Sequence, residues 1–422
     1  MKPYYGNNNY TNHNVNRNKQ PTNKNGIKFV LFLIVFCFVS FSIYWLVMYK
    51  TSDKSTPFSE SIENNYNFEN VKPLAADCYV YQTLSQDVQI VYDQVYDTII
   101  HHKENVVVKT LDEKVLEQAY KSVMADHGGL FWVSGYTYTQ HIINGHLVNL
   151  LFVPNYTETM EEQTYIQTKI DAAVNRILMG ALDCSSDYEK AKYVFNYLVS
   201  NVNYNETAPD NQNIISVFVN NETVCRGYAA ATQYLLEKLD IQSSIITGTA
   251  NGQPHAWVLA KLDGDYYYID TTWGDASYTN PNLDLGLYVN YNYFAVTTAD
   301  LGKTHQANDD ILLPICHATN DNYYVHENLY FDSWDADIIG DVYASAYKQG
   351  NKYCSVKFAN SDLYTQAFSY FITKQKIADY CQGIKSYFYL DEADSNVLTI
   401  FFGNGCKIKD TLRKECSSER IS

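Results

Sequence analysis

The chain has 422 residues, a net charge of −16 and an apolar fraction of 46%. This apolar content is enough for packed cores and excludes a largely disordered chain, while the length allows two or three domains of about 150 residues each. The acidic balance argues against nucleic acid as a partner, because phosphate binding needs clustered Lys and Arg. No glycine-rich phosphate loop is present in the sequence either.

A cationic, Asn-rich segment begins the chain, and a long apolar run follows it. Residues 1–28 predict a disordered cytoplasmic tail, and residues 29–49 (FVLFLIVFCFVSFSIYWLVMY) predict a transmembrane helix, which needs roughly 20 apolar residues. The positive-inside rule then places the tail in the cytoplasm and the acidic remainder outside, after a linker at 50–75. The alternative is a cleaved signal peptide, although its apolar region would usually be shorter. We therefore expect a single-pass cell-membrane protein, held in the lipid bilayer through 29–49, with its C-terminal bulk extracellular.

Three modules are predicted beyond the linker. Residues 76–182 carry helical apolar periods and a β-hairpin signal at Asn144-Gly145, which predicts a helical N-terminal module. Residues 183–310 open with a helix, DYEKAKYVFNYLVSN, and contain the candidate chemistry. Residues 311–422 predict a small β-α-β-β module and a tail. Their cysteines favour one or two disulfide bridges outside the cell, among Cys354, Cys381, Cys406 and Cys416.

Cys225 lies where a β-leaning run, SVFVNNETVC, gives way to a helical pattern. The start of a helix has unpaired backbone N–H groups that favour negative charge, and a thiolate gains from the same field. Gly227 would let another chain segment approach closely. A lone Cys in an apolar helix is more often a small buried hydrophobe, so its position alone does not establish catalysis.

A predicted hairpin supplies two further candidate groups. In GQPHAWVLAKLDGDYYYIDTTWGD the dipeptide Asp263-Gly264 is a strong two-residue turn signal, so residues whose numbers sum to 527 should face each other. His255 is then expected opposite Thr272, with Asp270 diagonal to it on the same face. This alternation predicts a His–Asp pair on a rigid ribbon.

Cys225, His255 and Asp270 form a chemically complete set. The thiol would attack a carbonyl, His255 would take and return the proton, and Asp270 would orient the imidazole. Backbone N–H groups at the helix start could hold the oxyanion, and Gln212 and Ser216 are the candidates for a second donor.

The segment resembles the core of the transglutaminase-like superfamily, and is similar to bacterial membrane-anchored members of that superfamily. The residues that carry the resemblance are Cys225, Gly227, Tyr228, His255, Trp257, Asp270 and Trp273, in the order VC-x-GYA, HAW and D-x-TW. The resemblance covers roughly residues 190–305 and implies an α+β, papain-like fold, in which the helix bearing Cys packs on an antiparallel sheet bearing His and Asp. Where the family often has glycine before the core turn, this chain has Asn220-Asn221, and Asn tolerates positive φ.

The resemblance implies acyl-enzyme chemistry on a peptide or protein substrate at the cell surface. Water would resolve the thioester in a protease or amidase, and an amine in a cross-linking transglutaminase. The alternative is a catalytically silent binding or scaffold module that keeps the same shape. We expect no cofactor and no metal site, since HExxH and CxxC pairs are missing, and the sequence assigns no role to His305.

Overall fold

The computed structural model describes residues 76–275 and 288–403, together with three short strands at 283–284, 407–408 and 419–420. The predicted tail, transmembrane helix and linker lie outside these residues. Among the helices that are described, none combines the length and the apolar character needed to cross a membrane.

The first part of the chain consists of helices packed beside a three-stranded sheet of order β1-β3-β2. Asn144 and Gly145 both have positive φ at the turn between β2 and β3, which confirms the hairpin signal. The elements are α1 (Tyr79–Thr83), α2 (Gln86–Ile100), β1 (Val106–Val108), α3 (Glu113–Asp126), β2 (Val133–Ile143), β3 (His146–Tyr156) and α4 (Met160–Met179).

In the central part, the helix Cys225–Lys238 packs against a four-stranded antiparallel sheet of order β10-β6-β7-β8. Its elements are α5 (Asp187–Asn201), β4 (Asn203–Tyr204), a π-helical turn (Ser216–Asn220), β5 (Glu222–Thr223), α6 (Cys225–Lys238), β6 (Ser243–Ala250), β7 (Gln253–Leu262), β8 (Asp265–Ile269), α7 (Thr271–Gly274), β9 (Leu283–Asp284), a 3-10 turn (Tyr291–Tyr293), α8 (Thr298–Leu301) and β10 (His305–Ala307).

The last part is a five-stranded sheet of order β11-β12-β14-β13-β16 covered by helices. Residues 361–381, predicted as one helix, divide into α11, a π-helical turn at Phe368–Thr373 and α12. The elements are α9 (Tyr323–His326), β11 (Tyr330–Phe331), α10 (Ala336–Lys348), β12 (Tyr353–Phe358), α11 (Ser361–Ala367), α12 (Ile377–Tyr380), a 3-10 turn (Ala393–Ser395), and β13 (Ser386–Glu392), β14 (Val397–Phe402), β15 (Lys407–Ile408) and β16 (Glu419–Arg420).

One buried apolar cluster extends from Tyr81 in α1 through α6 to Tyr324 in α9. It also includes Val397 in β14, so it crosses the predicted domain boundaries after residues 182 and 310, which stay predictions. The last sheet has a second core around Tyr343 and Phe371, where Cys354 and Cys381 are buried free thiols. The predicted α+β arrangement, a Cys-bearing helix on an antiparallel sheet, is confirmed.

Candidate active site

Cys225 is the first residue of α6 and is only partly buried. Val224, at the N-cap, makes no side-chain capping hydrogen bond, and the first helical bond runs from Tyr228 N to Val224 O at 3.0 Å. Backbone N–H groups of the first turn have no intrahelical acceptor, so this end of the helix favours an anion.

Gly227 is required by the packing behind Cys225. A Cβ at this position would lie 1.8 Å from Thr223 Oγ1 and 3.1 Å from the carbonyl oxygen of Asn211. Thr223 Oγ1 donates to that same carbonyl at 2.9 Å, so it cannot move aside without losing a hydrogen bond. The missing side chain thus fixes β5 against the start of α6. In the turn before β5, Asn221 has φ of 57°, the left-handed conformation that Asn tolerates.

The two side chains proposed as oxyanion donors have other partners. Ser216 is fully buried, and its hydroxyl lies 3.0 Å from Asn213 O and 2.8 Å from Thr223 Oγ1, so its single proton is shared by these two buried acceptors. Gln212 is exposed, and its Nε2 donates to Asn211 Oδ1 at 3.0 Å. Neither of these hydrogen bonds points to Cys225.

The hairpin that carries the histidine has the predicted register. Val258 pairs with Ile269 and Leu262 with Asp265, so the paired residue numbers sum to 527. The expected pairing of His255 with Thr272 is wrong, because β8 ends at Ile269 and the chain turns into α7. Thr272 N donates to Asp270 Oδ1 at 3.0 Å instead of joining the sheet.

Asp270 nevertheless meets His255, as the alternation of the strands indicates. His255 Nε2 lies 2.8 Å from Asp270 Oδ2, and both side chains are buried. The other carboxylate oxygen, Oδ1, accepts from Thr272 N at 3.0 Å and from Trp273 N at 3.2 Å. These backbone donors fix the plane of the carboxylate and therefore the direction of its bond to His255.

The buried pair is charged. Burial lowers the pKa of His255, but the Asp270 charge and its hydrogen bond, helped by Cys225, outweigh this and raise the pKa to about 10. Burial opposes ionisation of Asp270 as well, yet His255 and His305 hold the pKa of that carboxyl well below its ordinary value. At neutral pH the pair is therefore an imidazolium beside a carboxylate.

Cys225 completes the line of groups. It lies close enough to His255 to raise the pKa of the imidazole. Since Nε2 of His255 is held by Asp270, the nitrogen that remains for the thiol is Nδ1. Sulfur, imidazole and carboxylate are thus arranged in the order that proton exchange with a nucleophile needs.

Two hydrogen bonds lock the helix that carries the thiol to the turn that carries the carboxylate. The hydroxyl of Tyr228, fully buried, lies 2.6 Å from Val202 O and 3.2 Å from Asp275 Oδ2, two acceptors that share its one proton. Thr232 Oγ1 lies 2.9 Å from Thr271 Oγ1. Both contacts hold the distance between Cys225 and Asp270.

Two tryptophan rings shield the imidazole from water. Their ring centres lie 6.1 Å (Trp257) and 5.9 Å (Trp273) from that of His255. An apolar surround of this kind lowers the local dielectric and strengthens the interaction of His255 with Asp270.

His305 is the residue that sequence analysis missed. Its Nε2 lies 3.1 Å from Asp270 Oδ2, the same oxygen that His255 contacts, and its side chain is fully buried. It reaches this position because β10 pairs with β6, with His305 opposite Ala250. β10 is only three residues long, and it lies more than fifty residues beyond β6 in the chain. No local sequence pattern therefore predicts that it pairs with β6.

His255, Asp270 and His305 also form a set of possible metal ligands. Their ligand atoms lie within 4.8 Å of one another. Hydrogen bonds of 2.8 and 3.1 Å already join these atoms, and they account for the cluster. A metal here would displace the protons that link the imidazoles to the carboxylate.

One comparison with known proteins covers the residues of this site. Residues 177–271 match the family model described as Transglutaminase-like superfamily, a span that includes Cys225, His255 and Asp270. The search of curated proteins finds no match.

Six chains among the solved structures are similar to this one, among them the following three. A structure described as a TGase has 16% identity and a TM-score of 0.25 over 33% of this chain and 44% of its own. A provisionally named cysteine protease from Cytophaga hutchinsonii has 13% identity and a TM-score of 0.23 over 32% of this chain and 62% of its own. A provisionally named protease from Parabacteroides distasonis has 10% identity and a TM-score of 0.21 over 34% of this chain and 36% of its own. The chain thus spans less than two thirds of each of these proteins.

Proposed function

We propose, since residues 177–271 form a transglutaminase-like core, that this chain is a thiol-dependent enzyme acting on peptide amides through an acyl-enzyme. The observation that carries the proposal is the line Cys225–His255–Asp270, with the thiol at the start of α6 and the imidazolium paired to a buried carboxylate. A protein that only binds a partner has no need of a charged histidine held against a thiol.

The resting pair in this proposal is a Cys225 thiolate beside a His255 imidazolium. The sulfur attacks the amide carbonyl carbon, forming an S–C bond, and the carbonyl oxygen takes the negative charge. When the intermediate collapses, the C–N bond breaks and the amine leaves with the proton from His255. A thioester on Cys225 and a neutral His255 remain.

The second half of the cycle returns the proton. His255 takes a proton from the incoming water or amine, whose oxygen or nitrogen attacks the thioester carbon. The thiolate leaves, and the imidazolium is restored. Water gives a protease or amidase and a lysine amine gives a cross-link, so the same residues serve either outcome.

Asp270 serves this cycle by staying ionised. Its carboxylate accepts from two backbone N–H groups at Oδ1 and from His255 at Oδ2. The charge stabilises the imidazolium, and the hydrogen bond keeps Nδ1 directed at the sulfur. The backbone N–H groups at the start of α6, which lack a side-chain cap, are the donors proposed for the oxyanion.

The proposed substrates are peptide or protein chains at the cell surface. This part of the proposal rests on the apolar run at 29–49, with the cationic tail before it and the acidic bulk after it. We propose that this run anchors the enzyme in the cell membrane with the bulk outside.

The experiment is to incubate the full chain with an unfolded protein, with and without a primary-amine probe, beside the Cys225→Ala variant. The proposal predicts a thioester adduct on Cys225 by mass spectrometry. It also predicts either shorter fragments or probe attached to the substrate. Products that form equally with Cys225→Ala would show that this thiol is not the nucleophile.

A further inference from the structure

We propose that His305 is a positioning residue of this site: it holds Asp270 by a second hydrogen bond, so that His255 keeps Nδ1 directed at Cys225. This inference rests on the proposed function. It assigns a role to a buried histidine that the cycle described above does not use.

His305 and His255 approach the same oxygen from different strands. Their Nε2 atoms lie 3.1 and 2.8 Å from Asp270 Oδ2, and their ring centres are 5.3 Å apart. Two backbone N–H groups occupy Oδ1. A carboxylate offers about four acceptor sites, so all of them are used and the group cannot rotate without losing a donor.

The surroundings of His305 fix its own ring. Nδ1 lies 2.7 Å from Thr304 Oγ1, so a neutral ring that donates from Nε2 to Asp270 accepts at Nδ1 from the Thr304 hydroxyl. Trp257 and Trp273 meet the ring edge to face at 5.0 and 4.8 Å. The ring therefore has one orientation, and in that orientation it donates to Asp270.

The hydrogen bond from His305 to Asp270 affects His255 in two opposite ways, and the burial of Asp270 determines which is larger. A second donor withdraws charge from Oδ2, which weakens its pull on His255. It also prevents the carboxylate from turning away. Because Oδ2 belongs to a fully buried group with no solvent to replace a lost partner, orientation outweighs charge withdrawal.

A matched pair of variants tests this. His305→Gln keeps an N–H at a similar reach, and His305→Leu has similar volume but no donor. The readout is the rate of Cys225 alkylation by iodoacetamide against pH, measured on the full chain by mass spectrometry. We expect His305→Leu to slow alkylation at pH 7 about tenfold, the size expected when one hydrogen bond to a charged group is lost. We expect His305→Gln to stay within about twofold of wild type.

A double variant shows whether the effect passes through the carboxylate. In the Asp270→Asn background, His305→Leu should have little further effect, because the positioned charge is already gone. An equal tenfold loss in both backgrounds, or an unchanged or faster rate for His305→Leu alone, would overturn the proposal. Thr304→Val, at a half-exposed position, should cause a smaller decrease in the same direction even where His305→Leu folds poorly.

Imidazole N–H resonances separate this inference from the proposed function. With histidine labelled by nitrogen-15, the strongly hydrogen-bonded His255 Nε2 proton should persist in His305→Gln and be lost in His305→Leu. If the proton persists in His305→Leu, the positioning role is excluded. If wild-type Cys225 proves unreactive while the proton behaves as expected, the proposed function fails and the positioning role of His305 stands.

Discussion

Gly248 lies opposite His255 in the β6–β7 pair, and its missing side chain leaves room for β10. A Cβ on Gly248 would lie 2.1 Å from the carbonyl oxygen of Gln306 and 2.8 Å from the edge of Trp257. The strand that delivers His305 to Asp270 can therefore approach only because residue 248 is glycine.

Gly248→Ala should push β10 away and disturb the site. Overpacking of this kind costs about 1–3 kcal/mol, which urea unfolding would measure. Alkylation of Cys225 at pH 7 should slow as well, since His305 moves with its strand. Gly135→Ala is the matched control, because a Cβ there meets only Asn155 Nδ2 at 3.5 Å. Equal stability and equal alkylation rates in the two variants would contradict this account of β10.

Asp270→Asn should remove the charge while keeping much of the shape, because the amide oxygen can still accept from Thr272 N and Trp273 N. The raised pKa of His255, about 10, depends on that charge, so it should fall toward the ordinary range near 6.5. The alkaline limit of turnover should fall with it, because the leaving amine takes its proton from the His255 imidazolium, and turnover should drop by about two orders of magnitude or more. An alkaline limit that stays near pH 10 would show that Asp270 does not set the charge of His255.

Glu392, at the end of β13, should make the last module less stable as pH rises. Burial raises its pKa to about 7, although Tyr288 OH at 3.2 Å and Asn292 Nδ2 at 3.0 Å favour the anion. The pKa of Glu392 is higher in the folded state than in the unfolded state. Its contribution to the free energy of unfolding is therefore complete below the unfolded value near 4.3 and is lost as pH rises through about 7.

Glu392→Gln keeps the shape and removes the titration. Between pH 5 and pH 8, the free energy of unfolding of wild type should therefore fall by about 1–3 kcal/mol relative to that of Glu392→Gln. Urea unfolding at several pH values measures this difference, and groups common to both proteins cancel. Parallel stability curves would show that Glu392 does not titrate in this range.

Local pairing explains what the sequence could predict. Asp263-Gly264 fixed the register of β7 and β8, and alternation along those strands brought His255 and Asp270 together. The sequence analysis expected Gly227 to allow a close approach by another segment, and Thr223 and Asn211 lie there. The helices predicted around the hairpin at Asn144-Gly145 are also present in the structure.

Non-local contacts explain what the sequence could not predict. His305 joins Asp270 only through the pairing of β10 with β6, and three residues of strand carry too little pattern to show it. Thr272 does not extend β8, because its N–H donates to the Asp270 side chain. Ser216 was a reasonable donor by composition, but a π-helical turn directs its hydroxyl inward.

The most direct test of the account is the rate of Cys225 alkylation at pH 7 in the full chain, wild type beside His255→Ala, with the modified residue identified by mass and Cys225→Ala as the control. The account predicts that Cys225 is labelled about tenfold faster or more in the wild type than in His255→Ala, because an imidazolium beside a thiol favours the reactive thiolate. Labelling at the same rate in both proteins would contradict the thiolate–imidazolium pair on which the proposed chemistry depends.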